Sequence, residues 1–225
     1  MNDGRQRADA GAPADAHRTV AADARGTLGP GLVARDAQQA LQVLHERWSR
    51  QAAHWVFGYA SLIWRPEFEV AERRPALVHG WHRALRMRSH VNRGTPEQPG
   101  LVFALLPGGA CRGLVYRLHR EGIDAQLRSL WAREMPTGVY EARLLPCRTP
   151  QGPVLALAFT LSRRSESFLP RLADDELVRI LRHARGRYGT TLEYLHETAL
   201  ALRAHGVRDR EVERLVGVAR RHGLL

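Results

Sequence analysis

The chain has 225 residues, which is enough for one domain with a substantial apolar core and a short extension. Its 34 basic side chains are all arginine and outnumber the 23 acidic ones, so the formal net charge is +11. Such a charge suggests nucleic-acid binding, but the arginines are scattered among acids, as over 171–187. We therefore expect nonspecific attraction to polyanions and no specific nucleic-acid partner.

The first 35 residues differ in composition from the rest of the chain. They are mainly Ala, Arg, Asp, Gly and Pro, so they cannot bury enough apolar surface to offset the entropy of ordering. A targeting peptide is the alternative, but the segment lacks the apolar core of a secretory signal and carries Asp residues, which transit peptides avoid. We predict a disordered Arg/Ala-rich tail over 1–35 and a single domain over 36–225. The apolar runs of that domain are far shorter than the roughly 20 residues of a membrane helix, so no membrane partner is expected.

The pattern of apolar residues predicts a domain in which strands precede helices. Helical spacing begins at Asp36, a plausible N-cap, and predicts a helix over 36–48. Apolar segments separated by Gly and Pro predict six strands, at 54–63, 76–89, 101–106, 112–119, 139–148 and 153–161. Helices are predicted at 123–133, 174–186, 190–205 and 209–222. Strands first and helices last indicate an α+β fold.

Two sequence signals mark the ends of the C-terminal helices. Thr190 and Glu193 have the spacing of a capping box, in which each side chain hydrogen bonds to the other residue's backbone amide. Gly206 and Gly223 follow apolar helical segments, where glycine commonly ends a helix.

The segment Trp55–Trp64, with sequence WVFGYASLIW, reads as a buried strand that ends in a binding loop. Its β-branched and aromatic residues favour an extended backbone. Gly58, Ala60 and Ser61 leave room for a ligand or another backbone to approach closely. Consecutive backbone amides in such a turn can bind an anion.

The cysteine and histidine content gives no evidence for a metal or cofactor. Cys111 and Cys147 are too few for a disulfide framework or a four-ligand zinc site, so we expect buried, reduced thiols and a cytoplasmic location. His79 and His82 are three residues apart, which places them on opposite faces of a strand. The chain contains neither a phosphate-binding P-loop nor a GxGxxG motif. We expect no cofactor and no metal.

Several motifs resemble one known family. FGYASLIW is nearly the FGYGSLIW of the ChaC-type, glutathione-specific gamma-glutamylcyclotransferases. Residues 92–100 resemble that family's HRGTPERPG, and Leu130–Met135, followed by Gly138 and Tyr140, resembles its LWxREM motif. The segments 111–117 and 193–195 also match, in the same order along the chain. The resemblance implies a small, closed or nearly closed barrel of mixed strands with helices packed around it.

The resemblance implies an enzyme that cleaves glutathione to 5-oxoproline and cysteinylglycine. The substrate's α-amine attacks its own γ-amide carbon, so the protein supplies an anchor and a proton shuttle. Glu134 matches the family's catalytic glutamate and would act as general base and then general acid. A free Glu titrates near 4.3, so burial beside Trp131, Met135 and Pro136 would have to raise its pKa. Alternatively, Glu134 is a solvated acid at a helix end, paired with Arg133.

The anchor implied by the resemblance is the loop of Tyr59, Ala60, Ser61 and Leu62, whose amides would hold the substrate's α-carboxylate. The alternative is a plain buried strand end. Ala60 stands where the family most often has glycine. If a left-handed backbone is required there, alanine costs about 1–2 kcal/mol, and its methyl group could crowd the ligand.

Three further residues have alternative roles. Tyr194 would contact the substrate or pack in the core. Arg93 would meet a glutathione carboxylate or lie on the surface as an ordinary loop arginine. Glu193 would contact the substrate or only close the capping box.

Other functions compete with glutathione cleavage. The chain could be a cyclotransferase for other γ-glutamyl amides or peptides, an alternative that Ala60 supports. It could also be a non-catalytic regulatory protein on the same scaffold, since the family has an association with cation transport in bacteria. A serine hydrolase is disfavoured, because Ser61 lacks the glycines two residues before and after it that a nucleophile elbow requires.

Overall fold

The computed structural model describes residues 37–135 and 138–225. The predicted tail over 1–35 lies outside the described residues, as does Pro136. The helices are α1 (Ala37–Ser49), α2 (Ser61–Trp64), α3 (Ile123–Glu134), α4 (Asp174–His183), α5 (Thr191–Ala204) and α6 (Arg210–Arg221). The strands are β1 (Trp55–Gly58), β2 (Val70–Ser89), β3 (Gly100–Leu118), β4 (Glu141–Thr149), β5 (Gly152–Thr160), β6 (Arg185–Gly186) and β7 (Gly189–Thr190).

Five strands form a closed barrel in the order β1-β3-β2-β4-β5. The barrel closes because β5 pairs in parallel with β1, with Trp55 opposite Ala156, while the other pairs are antiparallel. Helices α4, α5 and α6 pack against one another and contribute apolar side chains to the same core as the strands. The predicted α+β fold with a small mixed barrel is confirmed.

Strand β3 is continuous where the sequence predicted two strands. The stretch Pro107-Gly108-Gly109 reads as a turn, but in the structure Trp81 pairs with Pro107 and His79 with Ala110. Two glycines of β3 therefore lie opposite Gly80 of β2, which makes a β-bulge. Gly108 and Gly109 both have positive φ, a conformation that glycine adopts without steric cost.

The predicted strand over 54–63 is wrong in its second half. Strand β1 ends at Gly58, and one helical turn follows, in which the amide of Ile63 donates to Ala60 O (2.9 Å) and that of Arg65 to Ser61 O (2.7 Å). A side chain at Gly58 would lie 2.9 Å from the Tyr116 ring. The glycine thus allows this turn to lie directly on β3.

The C-terminal helices begin and end close to where their caps predicted. The capping box of Thr190 and Glu193 is present, and Gly206 and Gly223 have positive φ after α5 and α6. Helix α4 ends at His183, however, three residues before the predicted end. The chain then forms the β6–β7 hairpin, because the amides of Arg187 and Tyr188 donate to the backbone of the 91–92 loop.

Both cysteines are free and fully buried, as predicted. Burial raises the pKa of the Cys111 thiol to about 11 and that of Cys147 to about 12. They are therefore protonated side chains of the barrel core at neutral pH. Among residues 37–135 and 138–225, no helix combines the length and apolar composition needed to cross a bilayer.

Candidate active site

A pocket with an empty volume of about 270 Å³ opens where the turn after β1 meets the end of α3. Three hydroxyl-bearing tyrosines, one carboxyl group and several apolar side chains surround it. Its lining residues are Tyr59, Ala60, Ser61, Leu62, Phe103, Glu134, Tyr140, Phe159 and Tyr194. Of the eight residues to which the sequence analysis gave a candidate role in the site, all but Arg93 and Glu193 therefore share one pocket.

The backbone of the turn after β1 is fixed from outside the pocket. The guanidinium of Arg83 on β2 donates to the carbonyl oxygen of Tyr59. Because the C=O and N–H of a trans peptide point in opposite directions, the amide of Ala60 points away from Arg83. The hydrogen bond from Arg83 thus fixes the orientation of the Ala60 amide, which could bind an anion.

Ala60 does not adopt a left-handed conformation. Its φ is −145°, so the steric cost considered for alanine at a positive φ does not arise. The family's frequent glycine at this position is therefore not required by the sign of φ in this chain.

Glu134 is the last residue of α3, and its side chain is only 14% exposed. Burial raises the pKa of its carboxyl group, and the neighbouring guanidinium of Arg133 acts in the opposite direction. Arg133 Nε lies 3.0 Å from Glu134 Oε1, so the ion pair considered as an alternative is also present. The carboxyl group is thus both buried in the pocket wall and held by one charged partner.

Two tyrosines are oriented by a single backbone unit of the barrel. Phe103 on β3 donates its N–H to the Tyr194 hydroxyl (3.3 Å) and accepts a hydrogen bond from the Tyr140 hydroxyl (3.3 Å). The Tyr59 hydroxyl donates to Phe159 O at 3.0 Å. Burial raises the pKa of all three phenols, so they are neutral near pH 7 and can donate hydrogen bonds.

Arg93 is buried but is not part of the pocket lining. Its Nη1 donates to the carbonyl oxygens of Tyr188 and Thr190, and its guanidinium lies 5.1 Å from the centre of the Tyr194 ring. The β6–β7 hairpin supplies those carbonyl groups, so Arg93 is not an ordinary surface residue. It lies on Tyr194, behind the pocket wall.

Glu193 closes the capping box of α5. Its Oε2 accepts from the Thr190 amide at 2.7 Å, while the Thr190 hydroxyl accepts from the Glu193 amide at 3.0 Å. These bonds hold the first turn of α5 and thereby the neighbouring Tyr194. Glu193 is not among the pocket-lining residues.

Sequence reasoning gave no role to Tyr140, Phe103 or Phe159, all of which line the pocket. Tyr140 had a signal, because it belongs to the motif that contains Glu134. The two phenylalanines had none, since core strands contain many apolar residues and only the barrel's closure brings these two to the pocket.

The barrel and its pocket define a gamma-glutamylcyclotransferase-like fold. The crystal structure of a glutathione-specific gamma-glutamyl cyclotransferase from yeast superposes with a TM-score of 0.70 at 21% identity, over 76% of this chain and 97% of that one. The ChaC-like protein family model matches residues 54–222. The chain belongs to the ChaC family.

Two relatives with higher identity carry the same activity in their names. A glutathione-specific gamma-glutamylcyclotransferase of Escherichia coli (strain K12) is 35% identical over 156 residues, covering 69% of this chain and 68% of the relative. Glutathione-specific gamma-glutamylcyclotransferase 1 of Mus musculus is 30% identical over 171 residues, covering 73% and 77%.

Proposed function

We propose that this protein cleaves glutathione into 5-oxoproline and cysteinylglycine, with Glu134 as the proton shuttle. The observation that carries the proposal is the position of a buried carboxyl group in the wall of a pocket that a backbone turn, residues 59–62, also lines. A γ-glutamyl group has an ammonium and a carboxylate on its α-carbon. The Glu134 carboxylate would pair with the ammonium, and the amides of the turn would bind the carboxylate.

The reaction needs a proton acceptor and a proton donor. The Glu134 carboxylate takes a proton from the substrate's α-ammonium, and the free amine then attacks the γ-amide carbon. A new N–C bond closes the five-membered lactam as the attacking nitrogen gives up a second proton, and the old C–N bond breaks. Glu134 passes the two protons in turn to the departing amine, which leaves as an ammonium group. Because the nucleophile and the electrophile belong to one molecule, holding the γ-glutamyl arm in a folded shape lowers the barrier by up to about 7–11 kcal/mol.

The electrostatics of the pocket support this assignment. Burial raises the pKa of Glu134, which makes the carboxylate a stronger base and brings it closer to the pKa that suits proton transfer near neutrality. The amides of Tyr59, Ala60, Ser61 and Leu62 would hold the α-carboxylate. The hydroxyl group of Tyr194, which accepts from the Phe103 amide, would donate a hydrogen bond to the substrate, and that of Tyr140, whose proton goes to Phe103 O, would accept one. Arg93 would act through Tyr194, on whose ring it lies.

Substrate turnover tests the proposal directly. Purified protein is incubated with glutathione or with γ-glutamylalanine, and 5-oxoproline and the released amine are followed by mass spectrometry. We expect product mainly from glutathione, as the names of the relatives suggest. Product from γ-glutamylalanine alone would show a cyclotransferase of different specificity. No product from either substrate would favour a non-catalytic protein.

Ala60→Gly tests whether the family's frequent glycine would improve the site. We expect it to lower the free energy of unfolding by about 0.4–1 kcal/mol, because glycine has more freedom in the unfolded chain. We expect no gain in kcat/KM for glutathione, since the φ of −145° carries no left-handed penalty that glycine would relieve. Thermal unfolding and steady-state kinetics measure the two effects. A tenfold gain in kcat/KM would show instead that the alanine methyl group crowds the ligand.

We place the reaction in a reducing cytoplasm and without a specific nucleic-acid partner. Two free thiols in the barrel core suit a reducing compartment. Arginines on several elements pair with acids, as in Arg203 with Glu213 and Arg214 with Glu211 and Asp174. Such pairing reduces the positive charge available to a phosphate backbone.

A further inference from the structure

The loop that leaves the pocket turn contains an unusual backbone conformation at Glu67. Among the described residues, Glu67 is the one non-glycine residue with a positive φ, at 54°. Side chains beyond glycine seldom adopt this region, and such a conformation persists only when the surroundings hold it. The loop connects α2, whose first residues line the pocket, with β2.

The Glu67 carboxylate is held between two arginines. One oxygen contacts Arg65 Nε, and the other lies 2.8 Å from Arg133 Nη1. Arg133 Nη1 also donates to the carbonyl oxygen of Arg65 at 2.6 Å. The loop and the end of α3 are therefore joined by a bridging carboxylate and a backbone hydrogen bond.

The same guanidinium reaches the candidate catalytic carboxyl group. Arg133 Nε lies 3.0 Å from Glu134 Oε1, so the charges alternate along the chain of contacts Arg65, Glu67, Arg133 and Glu134. Side-chain exposure falls along it from 49% at Arg65 and 42% at Glu67 to 20% at Arg133 and 14% at Glu134. The contacts thus run from solvent to the pocket wall.

We propose that Glu67 and Arg133 are positioning residues that fix the orientation of the Glu134 carboxyl group and set its proton affinity. The inference rests on the proposed role of Glu134 as the proton shuttle. It assigns each partner an opposite effect: Arg133 stabilises the carboxylate, while Glu67 holds Arg133 and adds a second negative charge nearby. The opposite effects of Arg133 and Glu67 would let Glu134 lose its proton and still accept one from the substrate.

The groups around Glu134 agree with this assignment. Arg133 lowers and Glu67 raises the pKa of the Glu134 carboxyl group, in addition to the larger effect of burial. Within residues 37–135 and 138–225, the remaining titratable groups that face Glu134 are phenols from other elements, and all are neutral near pH 7 because burial raises their pKa. They are Tyr59, Tyr140 and Tyr194.

The test is the pH dependence of kcat/KM for glutathione, whose acid limb reports the pKa of the essential base in the free enzyme. Glu67→Gln should move this limb to lower pH, because it removes the negative charge that opposes ionisation. Arg133→Met should move it to higher pH and lower kcat, since a displaced catalytic group can cost about 100-fold in rate. Arg133→Lys, which keeps the charge, should restore part of the native profile.

Glu69→Gln is the matched control, because it makes the same charge change at an exposed residue of the same loop. Glu69→Gln should leave the acid limb of the pH profile in place. If the loop has only a structural role, Glu67→Gln and Glu69→Gln should give similar pH profiles. An inactive Glu134→Gln enzyme together with unmoved limbs in the Glu67 and Arg133 variants would overturn the inference and leave the proposed function standing. A fully active Glu134→Gln enzyme would overturn both.

Discussion

Glu134→Gln is expected to lower kcat for glutathione cleavage by about 10²- to 10⁴-fold, the range in which a general acid–base group contributes. Glutamine keeps the size and hydrogen-bonding shape of the side chain but can neither take nor return a proton at neutral pH. Product formation measured by mass spectrometry gives the rate. Glu121→Gln, the same change at an exposed residue just before α3, should retain native turnover.

The same substitution should not destabilise the fold at neutral pH. A carboxyl group whose pKa is raised on folding favours the folded state below its unfolded pKa, and this advantage is lost as the pH rises through the folded pKa. Because the pKa of Glu134 is raised by burial, its ionised form opposes folding near pH 7. The melting temperature of the glutamine variant should therefore equal or exceed that of the native protein. An inactive variant that melts well below the native protein would indicate a structural role instead.

The elements predicted best from sequence are those with local signals. The ends of α5 and α6 follow from a capping box and from terminal glycines, which act within one helical turn. The β3 bulge was not predictable, because Pro107-Gly108-Gly109 has the composition of a turn. Whether such a stretch turns or bulges depends on the residue opposite it, here Gly80, and sequence order does not give that pairing.

The site residues that belong to a sequence motif could be predicted, whereas those brought together only by the folded barrel could not. Glu134 and the turn of residues 59–62 were identified by resemblance, and they do share one pocket. The pairing of two tyrosine hydroxyls with the backbone of Phe103 depends on the tertiary arrangement of β3, α5 and the segment before β4. Burial of Arg93 likewise depends on the β6–β7 hairpin, whose first strand, β6, had been predicted as the end of a longer helix over 174–186.

Arg83, like Arg93, has a structural role that no local sequence pattern indicates. It lies on β2 with a side chain that is 0% exposed, and its donors reach three elements. Nη1 lies 2.6 Å from Asp209 Oδ2, while Nε and Nη2 donate to the carbonyl oxygens of Tyr59 and Arg112. Asp209 also caps α6 by accepting from the first amides of that helix. One guanidinium therefore links the pocket turn, the barrel and the C-terminal helix.

Arg83→Met is expected to lower the free energy of unfolding by about 3–5 kcal/mol, because it leaves a largely buried carboxylate without its partner. Two backbone carbonyl groups lose their donor as well, and each such loss adds to the cost. Since one of them belongs to Tyr59, kcat/KM should fall even at temperatures where the variant is folded. Denaturant unfolding and kinetics below the melting point measure the two effects.

The control for this prediction is Arg88→Met on the same strand. Arg88 is exposed, so its replacement should change stability by no more than about 0.5 kcal/mol. Arg83→Lys should fall between the two, because an ammonium group keeps the charge opposite Asp209 but lacks the planar set of donors that reaches all three acceptors. An Arg83→Met protein with native stability and native kcat/KM would mean that the turn keeps its orientation without this guanidinium. In that case the contact of the turn with β3, made possible by Gly58, would be what fixes the amide of Ala60.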